Sequence, residues 1–120
     1  MSTHRIDKIE HLIKEEISLI FLYKMQDPAL SLLTITNVKV SPDLKLAKIY
    51  MSVFDKEKRE IVLEKVKASA GYIRSELAHR VRLRFVPELK FFIDDTIDYV
   101  EKIENLIKKI HDNDDKQGEG

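Results

Sequence analysis

The sequence predicts an α+β fold, a two-layer sandwich in which a three-stranded sheet carries helices on one face. Two neighbouring segments, residues 32–40 and 45–54, alternate apolar and polar side chains with period two, as half-buried strands do. Three longer segments repeat their apolar residues every three or four positions, as amphipathic helices do. The 120 residues are enough for one hydrophobic core and too few for two full ones.

The first element is a helix predicted over residues 3–24. Six apolar residues, five of them isoleucine, follow one another there in steps that keep them on one stripe, and Ser2 or Thr3 is available as the N-cap. Asp27-Pro28 disfavours further helix, because proline lacks the backbone N–H and restricts the residue before it.

The two alternating segments are predicted to pair as a β-hairpin. β-Branched residues dominate the first strand, and its alternation slips at Asn37. Ser41-Pro42-Asp43-Leu44 joins the strands and suits a type I turn, since proline favours the second turn position and aspartate is common in such turns.

Residues 56–84 return to helical spacing, with one apolar face through the whole segment. Gly71 interrupts this pattern, and a glycine inside a helix costs about 1 kcal/mol relative to alanine. We therefore predict two helices that meet at a kink near Ser69-Ala70-Gly71. Val86-Pro87 ends the helical part, and residues 89–93 supply the third strand.

The last predicted helix covers residues 96–111, so the order is helix, strand, strand, two kinked helices, strand and helix. Asp94, Asp95 and Asp98 near its start could hold a divalent cation. We prefer a structural interpretation, because the dipole and free N–H groups of a helix start favour carboxylates. Residues 112–120 are polar and acidic, which predicts a disordered tail after a domain of residues 1–111.

The composition excludes several classes of site. The absence of cysteine excludes disulfides, thiolate zinc sites and cysteine nucleophiles. The chain has no glycine-rich phosphate loop and no pair of histidines at ligand spacing. No apolar run approaches the roughly 20 residues that span a bilayer, and the N-terminus is not an apolar signal core. We expect a cytoplasmic, non-enzymatic protein without cofactor, metal or small-molecule substrate.

The formal net charge is zero, but the charges are unevenly distributed along the chain. Residues 65–90 carry seven Lys or Arg against two acids, whereas residues 94–120 carry nine acids against four lysines. Such asymmetry favours a polyanionic partner for the basic segment. The alternative is that both segments are simply solvated faces, which is the commoner fate of charge runs.

Arginines in the basic segment are candidate phosphate ligands, because a guanidinium binds phosphate through charge-assisted, often bidentate bonds. Arg74 lies one turn after the predicted kink, and Arg80, Arg82 and Arg84 alternate with apolar residues. Arg80 is the strongest candidate contact. Arg82 is the weakest, since closing a helix end or pairing with Glu88 would occupy it. Tyr72 could stack on a base, or it could be a partly buried aromatic with a solvated hydroxyl.

An ordered set of motifs resembles the ribosome-binding factor A family over roughly residues 5–108. The motifs are Asp27-Pro28, Thr34-Ile35-Thr36-Asn37-Val38, Val40-Ser41-Pro42-Asp43-Leu44, Ala47-Lys48-Ile49-Tyr50, Ala70-Gly71-Tyr72-Ile73-Arg74-Ser75-Glu76-Leu77, and the run from Arg82-Leu83-Arg84 through Val86-Pro87-Glu88-Leu89-Lys90-Phe91. The ordered set, above all the last run, is far more specific than any single motif. The sequence departs from the family pattern in the serine at position 69, in Ala29 and in its acidic C-terminal end.

The resemblance implies a type II KH-like fold in which an interhelical kink replaces the usual Gly-x-x-Gly loop. It also implies a bacterial, monomeric ribosome biogenesis factor that binds free or immature small ribosomal subunits and is needed for late assembly and 5′-end processing of their rRNA. The candidate RNA-binding residues are Lys45, Lys48, Lys65, Lys67, Ser69, Ala70, Gly71, Tyr72, Arg74, Arg80, Arg82, Arg84 and Lys90, with Lys39 assisting.

Two other functions compete with this expectation. A protein-interaction module would dock a partner through a sheet edge or through the acidic last helix. A metal-dependent phosphatase or nuclease would use Asp94, Asp95 and Asp98. The first is the main alternative.

Overall fold

A computed structural model describes the backbone of residues 2–118 and the side chains of residues 5–30, 33–96 and 98–111. Its helices are α1 (Ser2–Tyr23), α2 (Arg59–Ala68), α3 (Ala70–Arg80) and α4 (Thr96–Gly118), and its strands are β1 (Leu33–Val40), β2 (Leu46–Val53) and β3 (Glu88–Ile93). Short 3-10 helices cover Pro28–Leu32 and Lys56–Lys58. The predicted α+β order of elements is confirmed. The N-cap proposed for α1 lies outside the described side chains.

The sheet has the strand order β1-β2-β3, with β1 antiparallel and β3 parallel to the central β2. The predicted hairpin is confirmed, and the slip in the alternation is a β-bulge between Ile35 and Asn37. In the turn, the N–H of Leu44 donates to the carbonyl of Ser41 at 2.8 Å, and Leu44 adopts a φ of 62°. Asp43 accepts bonds from Ser41 Oγ and the Lys45 N–H at 2.6 and 3.1 Å, which hold this left-handed turn.

The hydrophobic core lies between one face of the sheet and the helices α1, α2 and α3. Strand residues alternate in burial, so only one sheet face contributes to the core, and Val62, Val66, Ile73 and Leu77 close it from the helical side. The predicted two-layer arrangement is therefore confirmed for three helices. It does not hold for α4, whose apolar side chains stay about half exposed.

The first turn of α4 is held by two carboxylates. Asp98 accepts two bonds from the Arg59 guanidinium, at 2.6 and 3.2 Å. Asp94 accepts from the Thr96 N–H at 2.9 Å and from Thr36 Oγ1 at 2.6 Å. The structural interpretation of this acidic cluster is confirmed for Asp94 and Asp98, which cap and anchor the helix.

The structure differs from the prediction at two helix ends and at Asp27. The second kinked helix ends at Arg80 and not at residue 84, because Val81 has extended backbone angles. Asp27 has a second role besides ending the helical part of the chain. Its side chain accepts a hydrogen bond from the Ala29 N–H at 3.0 Å and caps the first 3-10 helix. The predicted end of the last helix at residue 111 is wrong, because the acidic residues that suggested disorder continue α4 to Gly118. The division of the chain at residue 111 stays a prediction.

No helix within residues 2–118 is both long and apolar enough to cross a membrane.

Candidate nucleic-acid-binding surface

The kink between α2 and α3 is where the sequence places it. Ser69 has φ and ψ of −96° and 5°, outside helical values, and its N–H is shared between the carbonyls of Lys65 and Val66 at 3.1 Å each. The Ile73 N–H donates to the Ser69 carbonyl at 2.9 Å and starts the next turn. The chain thus changes direction between two helices without a loop.

Gly71 is not required by the fold. Its φ is not positive, and a Cβ placed on it would meet no heavy atom within 4 Å. The glycine leaves an exposed patch of bare backbone at the start of α3, which a phosphate group can approach closely. Ala70 beside it packs partly into the core, and Tyr72 is 47% exposed.

A shallow groove of about 270 Å³ runs between the kink and the free edge of β3. Lys67 and Ala70 line it on the helical side, and Lys90 and Phe92 line it on the strand. The structure therefore brings together kink residues and a strand lysine that are about 20 positions apart in the sequence.

The two lysines of α2 differ in their partners. Lys65 Nζ lies 3.0 Å from Asp27 Oδ2, and this hydrogen bond is the main reason why the pKa of Asp27 is lowered. Lys67 forms no ion pair with any side chain that the structure describes. Of the two, Lys67 is the one available to an external anion.

Two of the predicted arginine contacts form hydrogen bonds or ion pairs with other parts of the protein. Arg74 donates to the carbonyls of Val86 and Pro87, at 2.8 and 3.2 Å, and so ties α3 to the segment that leads into β3. Arg80 Nη1 lies 3.4 Å from Glu16 Oε2 on α1, and only 26% of its side chain is exposed. Their role as RNA ligands stays a prediction, and the structure gives each of them a fold-stabilising contact instead.

Of the four predicted arginine contacts, Arg82 and Arg84 are the two without a hydrogen bond or ion pair among the described residues. Both are exposed on the extended segment after α3, and neither forms an ion pair within the described side chains, Glu88 included. The Arg84 guanidinium lies 5.5 Å from the centre of the Phe85 ring, which is 74% exposed. Arg84 also lines a groove of about 540 Å³, together with Arg5, Lys45 and Arg74. Arg82 is thus more exposed than Arg80 and has no ion-pair partner among the described residues, and which of the two contacts RNA stays a prediction.

The open face of the sheet carries a row of three lysines. Lys48 on β2 lies directly opposite Lys39 on β1 and Lys90 on β3. All three are exposed, and none has an ion-pair partner among the described residues. Like charges directly opposite one another destabilise a sheet.

An aromatic pair forms the next row of this face. Tyr50 and Phe92 are direct neighbours in the parallel ladder, with ring centres 5.5 Å apart and an interplanar angle of 27°. Sequence reasoning did not single out these rings as site residues. The alternation in each strand places Lys48 with Tyr50 and Lys90 with Phe92 on one face, which is a usable signal. The parallel register that joins the two pairs is not visible in the sequence.

Comparisons with known proteins agree with the motif set. The family model for ribosome-binding factor A matches residues 5–107. A ribosome-binding factor A from Brevibacillus brevis is 38% identical over 120 residues, covering 99% of this chain and 99% of the relative. One from Macrococcus caseolyticus is 43% identical over 108 residues, covering 89% of this chain and 95% of the relative.

Solved structures give the same result. The crystal structure of ribosome-binding factor A from Thermus thermophilus aligns with a TM-score of 0.59 at 29% identity, covering 78% of this chain and 96% of that one. The predicted fold class therefore agrees with an experimental structure. By family model, sequence identity and fold, the chain belongs to the ribosome-binding factor A family.

Proposed function

We propose that this protein binds the rRNA of free or immature small ribosomal subunits in the cytoplasm and supports their late assembly, including 5′-end processing. A homology model of the Thermus thermophilus relative has been fitted into a cryo-EM map of a complex with the 30S subunit. The family membership and that complex support a ribosomal partner for this chain. The protein acts as a monomer and by binding alone.

The observation that carries the proposal is a set of cations without a carboxylate partner among the described residues. Lys67 and Lys90 line the groove beside the kink, Lys45 and Arg84 line the larger groove, and Arg82 is exposed on the segment between α3 and β3. Cations without a carboxylate partner release condensed counterions when they bind a phosphate backbone, and this release favours RNA binding. The bare backbone at Gly71 gives one phosphate a close contact.

Catalysis is not part of the proposal, because two of the three carboxylates that the metal-dependent alternative would use hold the start of α4. Asp94 and Asp98 accept hydrogen bonds from Thr36, Thr96 and Arg59. Among the described side chains, no group of three or more His, Cys, Asp or Glu residues is arranged to hold a metal ion. What remains is a surface suited to holding RNA in place.

Salt dependence is the first test. If about five phosphates are neutralised, a plot of log affinity for small subunits against log salt concentration should have a slope of about −3.5 to −4.5. The double substitution Arg82→Glu, Arg84→Glu should release the protein from subunits in sedimentation and leave circular dichroism unchanged. Lys102→Glu on the exposed part of α4 is the matched control. Affinity that ignores salt, or equal loss in the control, contradicts the proposal.

The processing role needs a cellular test. Cells without the protein should accumulate small-subunit rRNA with unprocessed 5′ ends, which primer extension measures. The wild-type protein should restore processing, and the Arg82→Glu, Arg84→Glu variant should not.

A second function is favoured by the exposed apolar stripe of α4. Val100, Ile103, Ile107 and Ile110 lie on one side of the helix, each about half exposed. Such a stripe fits a protein partner. The double substitution Ile103→Gln, Ile107→Gln separates the two functions: it abolishes association with subunits if α4 docks a ribosomal protein, and it leaves association intact if RNA contact dominates.

A further inference from the structure

The open face of the sheet combines two kinds of group that the fold does not use. Lys39, Lys48 and Lys90 stand side by side in register, although three adjacent like charges oppose folding. Lysines on edge strands commonly prevent sheets from pairing with other chains, which accounts for Lys39 and Lys90. That reason does not apply to Lys48, because β2 is the central strand and both its edges are already paired.

The aromatic pair lies in the row next to these lysines. Tyr50 follows Lys48 by two residues and Phe92 follows Lys90 by two, so the Cα of each aromatic residue lies about 6.6 Å along its strand from that of a lysine on the same face. Phe92 is 39% exposed and stacks on Tyr50, so an aromatic pair is partly open to solvent beside a row of cations. Proteins that hold single-stranded nucleic acid stack its bases on aromatic rings and bind its phosphates with nearby cations.

We infer that the open sheet face, through Tyr50, Phe92 and the lysine row, binds single-stranded RNA as a second contact surface, an inference that rests on the proposed function. Only an unpaired strand fits, because the bases of a duplex are stacked on one another and their faces cannot reach the rings.

The second surface is continuous with the first. The groove beside the kink is lined by Lys67 and Ala70 on one side and by Lys90 and Phe92 on the other. Because β3 is an edge strand, no further strand separates the groove from the open face. One RNA strand held at Gly71 can therefore cross β3 and lay its next bases on Phe92 and Tyr50.

Tyrosine emission provides a direct readout, since the chain has four tyrosines and no tryptophan. In the full chain with Tyr23, Tyr72 and Tyr99 changed to phenylalanine, the emission comes from Tyr50 alone. A single-stranded RNA oligonucleotide should quench it, and a duplex of the same sequence should not. Equal quenching by both RNAs, or none by either, overturns the inference.

Affinity provides the second readout. The double substitution Tyr50→Leu, Phe92→Leu should weaken single-strand binding at least about fivefold, by the usual effect of removing a stacked base. Lys48→Gln, which alters no packing, should reduce the salt slope by about 0.7, and Lys102→Gln on α4 should leave it unchanged. Urea denaturation identifies a variant that has merely lost its fold, and Lys48→Gln then decides the question.

The outcomes separate this inference from the proposed function. If the wild type binds RNA with the expected salt slope and both sheet-face variants bind equally well, the sheet-face inference is wrong and the proposed function stands. If the sheet-face variants lose a concentration-dependent self-association and keep full RNA affinity, a second copy occupies the face and the inference is also wrong. Salt-independent binding by the wild type would remove the proposed function itself.

Discussion

Arg80 on α3 reaches across to Glu16 on α1, with Nη1 and Oε2 3.4 Å apart. Both side chains are about three-quarters buried, at 26% and 22% exposed, so the contact joins two helices of the core layer and does not lie on the surface. A basic residue in the most cationic stretch of the sequence thus has a partner within the fold. This relationship separates the arginines that hold the fold from those that can hold RNA.

Substitution of Arg80 tests this separation. Arg80→Met leaves the largely buried Glu16 without its partner, and it should lower the free energy of unfolding by about 1 to 2 kcal/mol. RNA affinity should change little under conditions where the variant is folded. Urea denaturation and RNA titration measure the two effects. Arg82→Met is the matched control and should show the opposite pattern, with unchanged stability and weaker binding. Equal stability of both variants would argue against the structural role.

The two lysines of α2 make a second matched pair. Lys67→Gln should weaken RNA binding and reduce the salt slope by about 0.7 to 0.9, because an unpaired cation beside the groove is lost. Lys65→Gln should have a smaller effect, since the charge of Lys65 is already balanced by Asp27 at 3.0 Å. Fluorescence anisotropy at several salt concentrations measures both. A larger loss from Lys65→Gln would show that the Asp27 contact opens when RNA binds.

Gly71→Ala should separate stability from binding. The added methyl group has open space and the backbone is in an ordinary helical region, so alanine should raise the free energy of unfolding by up to about 1 kcal/mol. The same methyl group should lower RNA affinity, because it stands where a phosphate would approach the bare backbone. Denaturation and binding curves of one preparation test both parts. A more stable variant with wild-type affinity would show that RNA does not approach at Gly71.

Acid should loosen the anchor of α4. The Arg59 hydrogen bond lowers the pKa of Asp98 below its ordinary value of 3.8. A carboxyl group with a lowered folded-state pKa stabilises the fold fully above its unfolded-state pKa, and this stabilisation is lost as the pH falls through the lowered value. We expect the wild type to lose stability below about pH 4 more steeply than Asp98→Asn.

Glu104→Gln, at an exposed position of α4, is the control for that measurement. Its stability should fall with pH as that of the wild type does. Parallel curves for the wild type and Asp98→Asn would show that the Arg59 contact does not hold the helix.

Most of the architecture was predictable because it depends on local patterns. The period of apolar residues defined the helices and strands, and the slip at Asn37 marked the bulge. The glycine at position 71 marked the kink. The predictions that missed concern element ends, such as Val81 and Gly118, where neighbouring parts of the fold and not local propensity decide how far a helix continues.

The candidate site was predictable as a set of residue types and not as an arrangement. The sequence indicated that arginines and lysines between positions 65 and 90 are candidate ligands. The sequence contained no sign that Arg74 donates to the carbonyls of Val86 and Pro87. These residues lie beside α3 only because the chain turns back after α3 on its way to β3. Tyr50 was likewise unremarkable until β3 placed Phe92 next to it.

By itself, the sequence determined the element order, the hairpin, the kink and the family to which the chain belongs, since each depends on residues close together in the chain. Only the tertiary structure decided which cations are free, because a charge is neutralised by whatever element packs against it: Asp27 for Lys65, Glu16 for Arg80. The parallel register of β2 and β3 likewise decided that Lys39, Lys48 and Lys90 form one row. Contacts between distant segments follow from packing of the whole core, which no local pattern encodes.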